Sequence, residues 1–485
     1  MASIDPFSSA TTQLAALRKR DISASELLAL HLERITRYNP HINAIVIPNE
    51  EQAHRQAAAA DARLARGEWH AALQGLPLTI KECVEVAGMR ATMGVQALEH
   101  YVSEKSGPAA QAILDAGAVV LGKTNVAPYL GDWQADNPIF GRTNNPWNLA
   151  LTPGGSTGGG SAALAAGLTA LEFGTDLGGS IRVPAAFCGV YGHRSSETAV
   201  PRYGSRPGAS RPNPASVMGV VGPLARSAAD LQLAMDVIAG PAVGEDIAWH
   251  LNMPSARHTS LADYRVALLP SADWLSVDEE IVAALDNLAQ CLREQGAIVE
   301  EAQPEGFDLR EYTEIYTELL YTFLYASRSE EERERTVEEL RSSPNIFVRA
   351  QIAGLPASAG RLIVLHAKRE QYREMFRAFY RQWDILLSPV TIVTAFEHQG
   401  YEIPIYKRTL KVNQERVPYE YISIYPGVAT LIGHPATAFP WGRTRAGSPI
   451  GLQAVGPYLE DRTPISFAGL LEREFGGFVA PAGYQ

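Results

Sequence analysis

The chain has 485 residues, 46% of them hydrophobic and 20% charged, with 41 Gly, 31 Pro and 3 Cys. That composition excludes a collagen, a coiled coil, a disulfide scaffold and a largely disordered chain, and the length alone suggests about three domains of roughly 150 residues. A net charge of −11 argues against a general nucleic-acid binder, whose affinity rests on basic charge against phosphates.

The N-terminal MASIDPFSSATTQL lacks the basic start and apolar stretch of a signal peptide, and no run reaches the roughly 18 apolar residues of a membrane span. Cys83, Cys188 and Cys291 lie far apart with no CxxC pair, which fits a reducing compartment. The protein is therefore expected to be soluble and cytoplasmic, with neither a nucleic-acid nor a membrane partner. Residues 8–38 read as two helices, the second opened by the capping-box pattern Ser23-Ala24-Ser25-Glu26. A helix over 51–66 precedes the apolar run Leu76–Ile80, a strand that ends at Lys81. Helix and strand then alternate: 109–116 helix, 118–121 strand, 161–170 helix, 171–173 strand. Such alternation predicts an α/β fold with a mostly parallel sheet. Residues 201–216, rich in Pro, Gly and Ser, form a loop. Further on, the pattern predicts helices over 279–295, 361–382 and 463–475 and strands over 297–301 and 385–387. The charged run 329–341 reads as a solvated helix face.

Two motif matches have the wrong context. Gly117–Thr124 fits GxxxxGK[ST], but its middle residues Ala118-Val119-Val120-Leu121 are a strand rather than an open phosphate-cradling turn. Gly154-Gly155-Ser156-Thr157-Gly158 fits the GxSxG nucleophile elbow, which should follow a strand directly, yet Pro153 precedes it. On that reading Ser156 is the nucleophile, with His398 or His434 as its base.

Nine glycines fall between Gly154 and Gly179, in two clusters that each carry a serine. Glycine at such density brings backbone close to a partner. A serine nucleophile needs a base. A buried lysine can serve because desolvation disfavours its ammonium, and Lys81 ends an apolar strand. The run Leu177-Gly178-Gly179-Ser180 offers successive backbone N–H groups that can hold an oxyanion.

The segments GGSTGGGSA at 154–162 and GTDLGGSIRVPAAFCG at 174–189 resemble the signature of the amidase signature family, approximately GGSSGGSAA followed by GTDxGGSIRxPAxFCG. Ser156 and Ser180 are 24 positions apart, the family's spacing. GLPLTIKE at 75–82, GRTNNPWN at 141–148, ISASEL at 22–27 and GLQAVG at 451–456 also match. The resemblance implies a serine hydrolase with Ser180 as nucleophile, Ser156 as bridging serine across a cis Gly155–Ser156 peptide, and Lys81 as base. It also implies an oxyanion hole from the N–H groups of Leu177, Gly178, Gly179 and Ser180, with Thr175, Asp176 and Arg182 bracing the loop. No metal or cofactor is implied. The implied fold is α/β, a large mixed, mostly parallel sheet between helices. It forms a single domain over 1–485: N-terminal helices (1–70), a catalytic core (71–240), a variable, partly helical substrate-side region (241–420) and a C-terminal return (421–485).

Three departures from the family pattern stand out. Thr157 replaces a serine that is not the bridging one, and Gly160 stands where Ser, Ala or Glu is commoner. Gly192-His193-Arg194-Ser195-Ser196 replaces GLKPT, and His193 there reads as structural. The substrate pocket is assigned to Tyr129, Leu130, Trp133 and Gly155. The aromatic run Tyr312, Tyr316, Tyr321, Phe323 and Tyr325 reads first as core packing. If part of it faces the cleft, it favours an apolar or aromatic amide, with aryl ester and carbamate (urethane) cleavage in reach. The expected partner is a small-molecule amide, ester or carbamate, and the expected assembly a monomer or homodimer. The same signature would also suit a glutamyl-tRNA amidotransferase A-like subunit or an inactive binding homologue.

Overall fold

The computed structural model describes residues 4–207, 217–326 and 328–485, so 208–216 of the expected loop lie outside the described residues. Helices α1 (Ala10–Lys19) and α2 (Ala24–Ile42) open the chain. The capping box forms: Ser23 Oγ accepts from Glu26 N–H, and Glu26 Oε2 accepts from Ser23 N–H. Strand β1 (Ile45–Pro48), helix α3 (Glu50–Ala65) and strand β2 (Pro77–Lys81) follow. Helix α4 (Pro108–Asp115) crosses to β3 (Val119–Thr124), which pairs with β2 in parallel. A small ribbon, β4 (Asp136–Asn137) and β5 (Gly141–Arg142), precedes α5 (Gly158–Ala165), β6 (Glu172–Asp176), α6 (Arg182–Cys188) and β7 (Tyr191–Arg194).

Then come β8 (Val220–Ala225), α7 (Ala228–Ile238), β9 (Arg265–Leu268), α8 (Glu279–Glu294) and β10 (Ile298–Glu301). Four helices are consecutive: α9 (Leu309–Tyr325), α10 (Glu330–Leu340), α11 (Val348–Gly354) and α12 (Ala359–Phe379). Strand β11 (Ile385–Pro389), a ribbon of β12 (Thr409–Val412) and β13 (Glu415–Pro418), helix α13 (Ile424–Ile432), the hairpin β14 (Ala436–Arg443) and β15 (Pro449–Val455), and α14 (Arg462–Phe475) complete the chain. Among the described residues no helix is long and apolar enough to cross a membrane.

Eleven strands form one sheet in the order β1-β3-β2-β6-β8-β7-β14-β15-β11-β9-β10. The fold is α/β with a mixed sheet, as expected, but parallel pairing does not dominate. It is confined to β3-β2-β6 and to β10-β9-β11, and every other adjacent pair is antiparallel. The reason lies in the connections. A crossover helix such as α4 or α8 returns a strand in parallel, whereas the short turn between β14 and β15 can only reverse it.

Successive residues of β9 and β11 alternate between two buried apolar clusters. Val266, Leu268, Ile385 and Leu387 pack into one, Ala267 and Leu386 into the other. The site elements start and end differently from the sequence expectation. Helix α5 begins at Gly158 rather than 161, and β6 runs on through Asp176. Glycine disfavours helix, but here close packing overrides it. A Cβ on Gly159 would lie 2.6 Å from Ala44 O, and one on Gly160 2.5 Å from Glu172 Oε1. The glycine run therefore lets the start of α5 lie directly on the sheet, above the ends of β2 and β6.

Candidate active site

Lys81 is the last residue of β2, and its side chain is fully buried. Its Nζ donates to Ser156 Oγ at 2.9 Å, to Thr175 Oγ1 at 2.9 Å and to Thr175 O at 3.3 Å. Burial pushes its ammonium down to about 8, and Cys83, Asp176 and Glu172 pull it partway back. A lysine in that range has a usable neutral fraction near neutral pH.

Ser156 lies in the turn just before α5, and the Gly155–Ser156 peptide is cis. Ser180 follows the end of β6, and its carbonyl accepts from Thr157 N–H at 3.1 Å, tying the two serine loops together. Both serines line one cavity of about 740 Å³.

The loop between β6 and α6 is organised by a buried ion pair. Arg182 Nε and Nη2 each donate to Asp176 at 3.0 Å, and Arg182 also reaches Pro426 O, Gln453 Oε1 and Thr430 Oγ1. Burial alone would raise the Asp176 carboxyl, but the guanidinium of Arg182 holds it well below the usual carboxylate range. Asp176 also accepts from the amides of Gly179 at 3.0 Å and Ile181 at 3.2 Å. Within the expected oxyanion set, the Gly179 N–H already donates to Asp176, and Gly179 takes a positive φ of 96°. Among the described residues, the amides of Leu177, Gly178 and Ser180 have no such partner.

Two expected pocket residues stand elsewhere. Gly155 packs against the backbone of Gln134, where a side chain would collide. Trp133 is not on the cavity wall. Its Nε1 donates to Gly178 O at 2.8 Å from behind the loop, and its ring leans on Tyr419 at 5.7 Å. Tyr419 Oη in turn donates to Asp132 at 2.6 Å, and Arg408 pairs with the same carboxylate. Tyr129 and Leu130 do line the cavity, in a turn where both take positive φ. Thr175, expected as a brace, touches Lys81 itself and reaches the cavity.

Helix α9 divides its aromatics. Tyr312 and Tyr316 are buried in the core, where Tyr312 Oη donates to Val428 O at 2.6 Å. Tyr321, Phe323 and Tyr325, with Leu324, face the cavity. Arg328 lies over the Tyr129 ring at 4.1 Å, across the cavity mouth. The sequence reading missed Glu172, fully buried beside this site and bound by Thr79 and Thr124. An acid inside the apolar stretch at 161–174 was the available signal.

The elbow reading is not supported. Among the described residues no strand runs directly into Ser156. His434 Nδ1 faces Gly456 O, and neither His434 nor His398 bonds a serine of the site among the described residues. His193 is buried between Thr437 and Asp461, a structural place. Among the described residues no group of three or more His, Cys, Asp or Glu could hold a metal ion.

The family model described as Amidase matches residues 26–464. The chain is 32% identical over 482 residues to the glutamyl-tRNA(Gln) amidotransferase A-type subunit of Synechococcus sp. (strain CC9605), covering 94% of each chain. It is 30% identical over 472 residues to an indoleacetamide hydrolase of Bradyrhizobium diazoefficiens, covering 96% of this chain and 86% of that one. The crystal structure of a bacterial aryl acylamidase of the amidase signature family superposes with a TM-score of 0.81 at 25% identity, over 97% of this chain and 96% of that one. The matched signature, the eleven-stranded α/β fold and these relatives agree: the chain belongs to the amidase family, the amidase signature enzymes.

Proposed function

We propose that the protein hydrolyses the carbon–nitrogen bond of an amide through an acyl-enzyme on Ser180. The observation that carries this is the fully buried Lys81, its proton affinity lowered, bonded to Ser156 in a cavity that also exposes Ser180. Neutral Lys81 takes a proton from Ser156 Oγ, which takes one from Ser180 Oγ as that oxygen attacks the carbonyl carbon. The oxyanion is held by the amides of Leu177, Gly178 and Ser180. Collapse breaks the C–N bond, and the relay returns the proton to the departing amine. Water, deprotonated by the same relay, then cleaves the ester on Ser180. Thr175 fixes the Lys81 amine, and Asp176 with Arg182 fixes the loop.

The substrate is a small amide with an apolar or aromatic group, and aryl esters and carbamates are accessible to the same chemistry. The wall formed by Tyr129, Leu130, Tyr321, Phe323 and Leu324 supports this. So does the likeness to an aryl acylamidase and an indoleacetamide hydrolase.

Turnover of a chromogenic anilide and labelling by a fluorophosphonate test the assignment. Both are expected to vanish in Ser180→Ala. Loss of the label in Ser156→Ala with retention in Ser180→Ala would sink it. A panel of aryl amides, aryl esters, carbamates and glutamine tests the substrate class: glutamine turned over faster than every aryl amide would reverse the substrate reading.

A further inference from the structure

Three ionisable groups act on Lys81: Cys83, Asp176 and Glu172. Two of them are accounted for. Asp176 is spent on Arg182, and burial pushes the Cys83 thiol up to about 11, so its thiolate acts on Lys81 only at high pH. Glu172 is left as a fully buried carboxyl with no cationic partner in contact among the described residues.

Its surroundings are built to hold it. Glu172 opposes Thr79 across β2 and β6, and Thr124 opposes Lys81 across β2 and β3. Both hydroxyls turn to the carboxyl: Thr79 Oγ1 donates to Oε2 at 2.5 Å and Thr124 Oγ1 to Oε1 at 2.7 Å. Thr79 and Lys81 are two apart on β2 and so share a face, roughly 7 Å from one another along the strand. The space over the carboxyl exists because residue 160 has no side chain, since a Cβ there would fall 2.5 Å from Glu172 Cδ and Oε1. The departure at Gly160 thus has a cause, for the strand supplies a carboxyl that needs the room.

We propose that Glu172 is a positioning residue for the Lys81–Ser156 pair, an internal carboxylate whose charge sets how readily Lys81 gives up and regains its proton. The inference rests on Lys81 acting as the base. Because both groups are fully buried, the field of the carboxylate is weakly screened and favours the ammonium. Burial raises the Glu172 carboxyl to about 7, while Thr124, Thr79 and the Lys81 charge oppose that rise. The two groups therefore titrate in adjoining ranges, as a coupled pair. Other elements packed on Glu172 add no competing charge. Helix α5 holds no ionisable residue, and Leu224 of β8 lies opposite. Lys123 of β3 points to the other face, where Glu82 and Glu85 act on it.

The test is Glu172→Gln, which keeps the shape and removes the charge. Two profiles are read against pH: kcat/KM on an aryl amide, and the rate of fluorophosphonate labelling of Ser180. The rising limb of both is expected to move to lower pH by about one unit, because Lys81 loses the anion that favours its ammonium. Thr124→Val, which takes one donor from the carboxylate, is expected to move it the same way by less. A limb that stays in place in folded Glu172→Gln overturns the inference. If that variant does not fold, an unmoved limb in Thr124→Val overturns it. Lys81→Ala separates the two readings. Activity that survives it defeats Lys81 as the base, whereas activity lost there beside an unmoved limb in Glu172→Gln defeats only the role of Glu172.

Discussion

Lys81 sits where a strand delivers an amine into the protein interior, and burial there changes its chemistry rather than its place. With its ammonium at about 8, about a tenth of the molecules carry a neutral amine at pH 7, roughly 300 times more than an unperturbed lysine would. Activity is therefore expected to rise about tenfold per pH unit below 8 and to level off above it, measured as kcat/KM on an anilide. A flat profile between pH 5 and 8 would count against a lysine base. Trp133 acts at the same scale from behind the loop. Its bond to Gly178 O is the link between the Asp132–Tyr419 network and the 177–180 loop. Trp133→Phe keeps the packing and loses that bond, about 1 kcal/mol of net stabilisation. A fall in kcat of about fivefold with little change in KM is expected from steady-state kinetics, since the ring is off the cavity wall. A change confined to KM would instead place Trp133 in direct contact with substrate.

At the scale of elements, α9 performs two tasks in sequence. Its first half packs Tyr312 against Tyr372 at 4.7 Å and against Phe307 at 5.1 Å, and its second half walls the cavity. Tyr312→Ala is expected to cost about 3–5 kcal/mol of stability, as large core deletions do, and to lower the thermal midpoint. Phe323→Ala is expected to leave that midpoint nearly unchanged while raising KM for an aryl amide about tenfold. Equal effects of both on stability would show that the division is false. The aromatic spacing could not announce this division, because one helical stripe looks the same whether a neighbour or a void lies against it. The serines and the lysine were legible for the opposite reason. A site built from backbone demands glycine at fixed places, and that demand is written in residue types. Proximity to the motif did not tell which way a side chain turns, so Trp133 and Gly155 read as pocket and proved to be its supports. Strand direction was misjudged similarly. Largely apolar strands such as β9 and β15 look alike in parallel and antiparallel pairs, and only the connection decides. Glu172 escaped because a single acid in an apolar strand has no partner within reach along the chain. Thr79 and Thr124 join it only once the sheet forms.

Across the whole molecule, buried ionisable groups couple stability to acidity. His31 and His434 are fully buried, and burial lowers both imidazoles to about 3. His31 faces Gln13 with Arg226 and Arg34 nearby, and His434 is stacked on Tyr380 at 5.4 Å. Unfolded, each would take up a proton near pH 6.5. The folded chain then binds fewer protons than the unfolded one between about 6.5 and 3, so each histidine's contribution is complete above pH 6.5 and lost as pH falls through that window. Each removes about 1.4 kcal/mol per pH unit once its unfolded form is charged. Glu172 works against them. Its carboxyl is raised to about 7, so the folded chain holds a proton there that the unfolded chain has released, and its contribution is lost as pH rises from about 4.5 to 7. The two histidines outnumber it, so acidification from pH 6.5 to 5 is expected to lower the thermal midpoint even though one buried acid resists. The variant His31→Met/His434→Met isolates the cause. It is expected to start less stable at pH 7.5, having lost two bonded rings, but to lose far less stability on acidification than the parent, because Glu172 then offsets His398, whose imidazole burial lowers to about 4. Thermal unfolding at pH 7.5, 6.5, 5.5 and 5.0 reads the slope directly. A variant whose midpoint falls as steeply with acid as the parent's would mean that other groups, and not these two imidazoles, link the fold to protons.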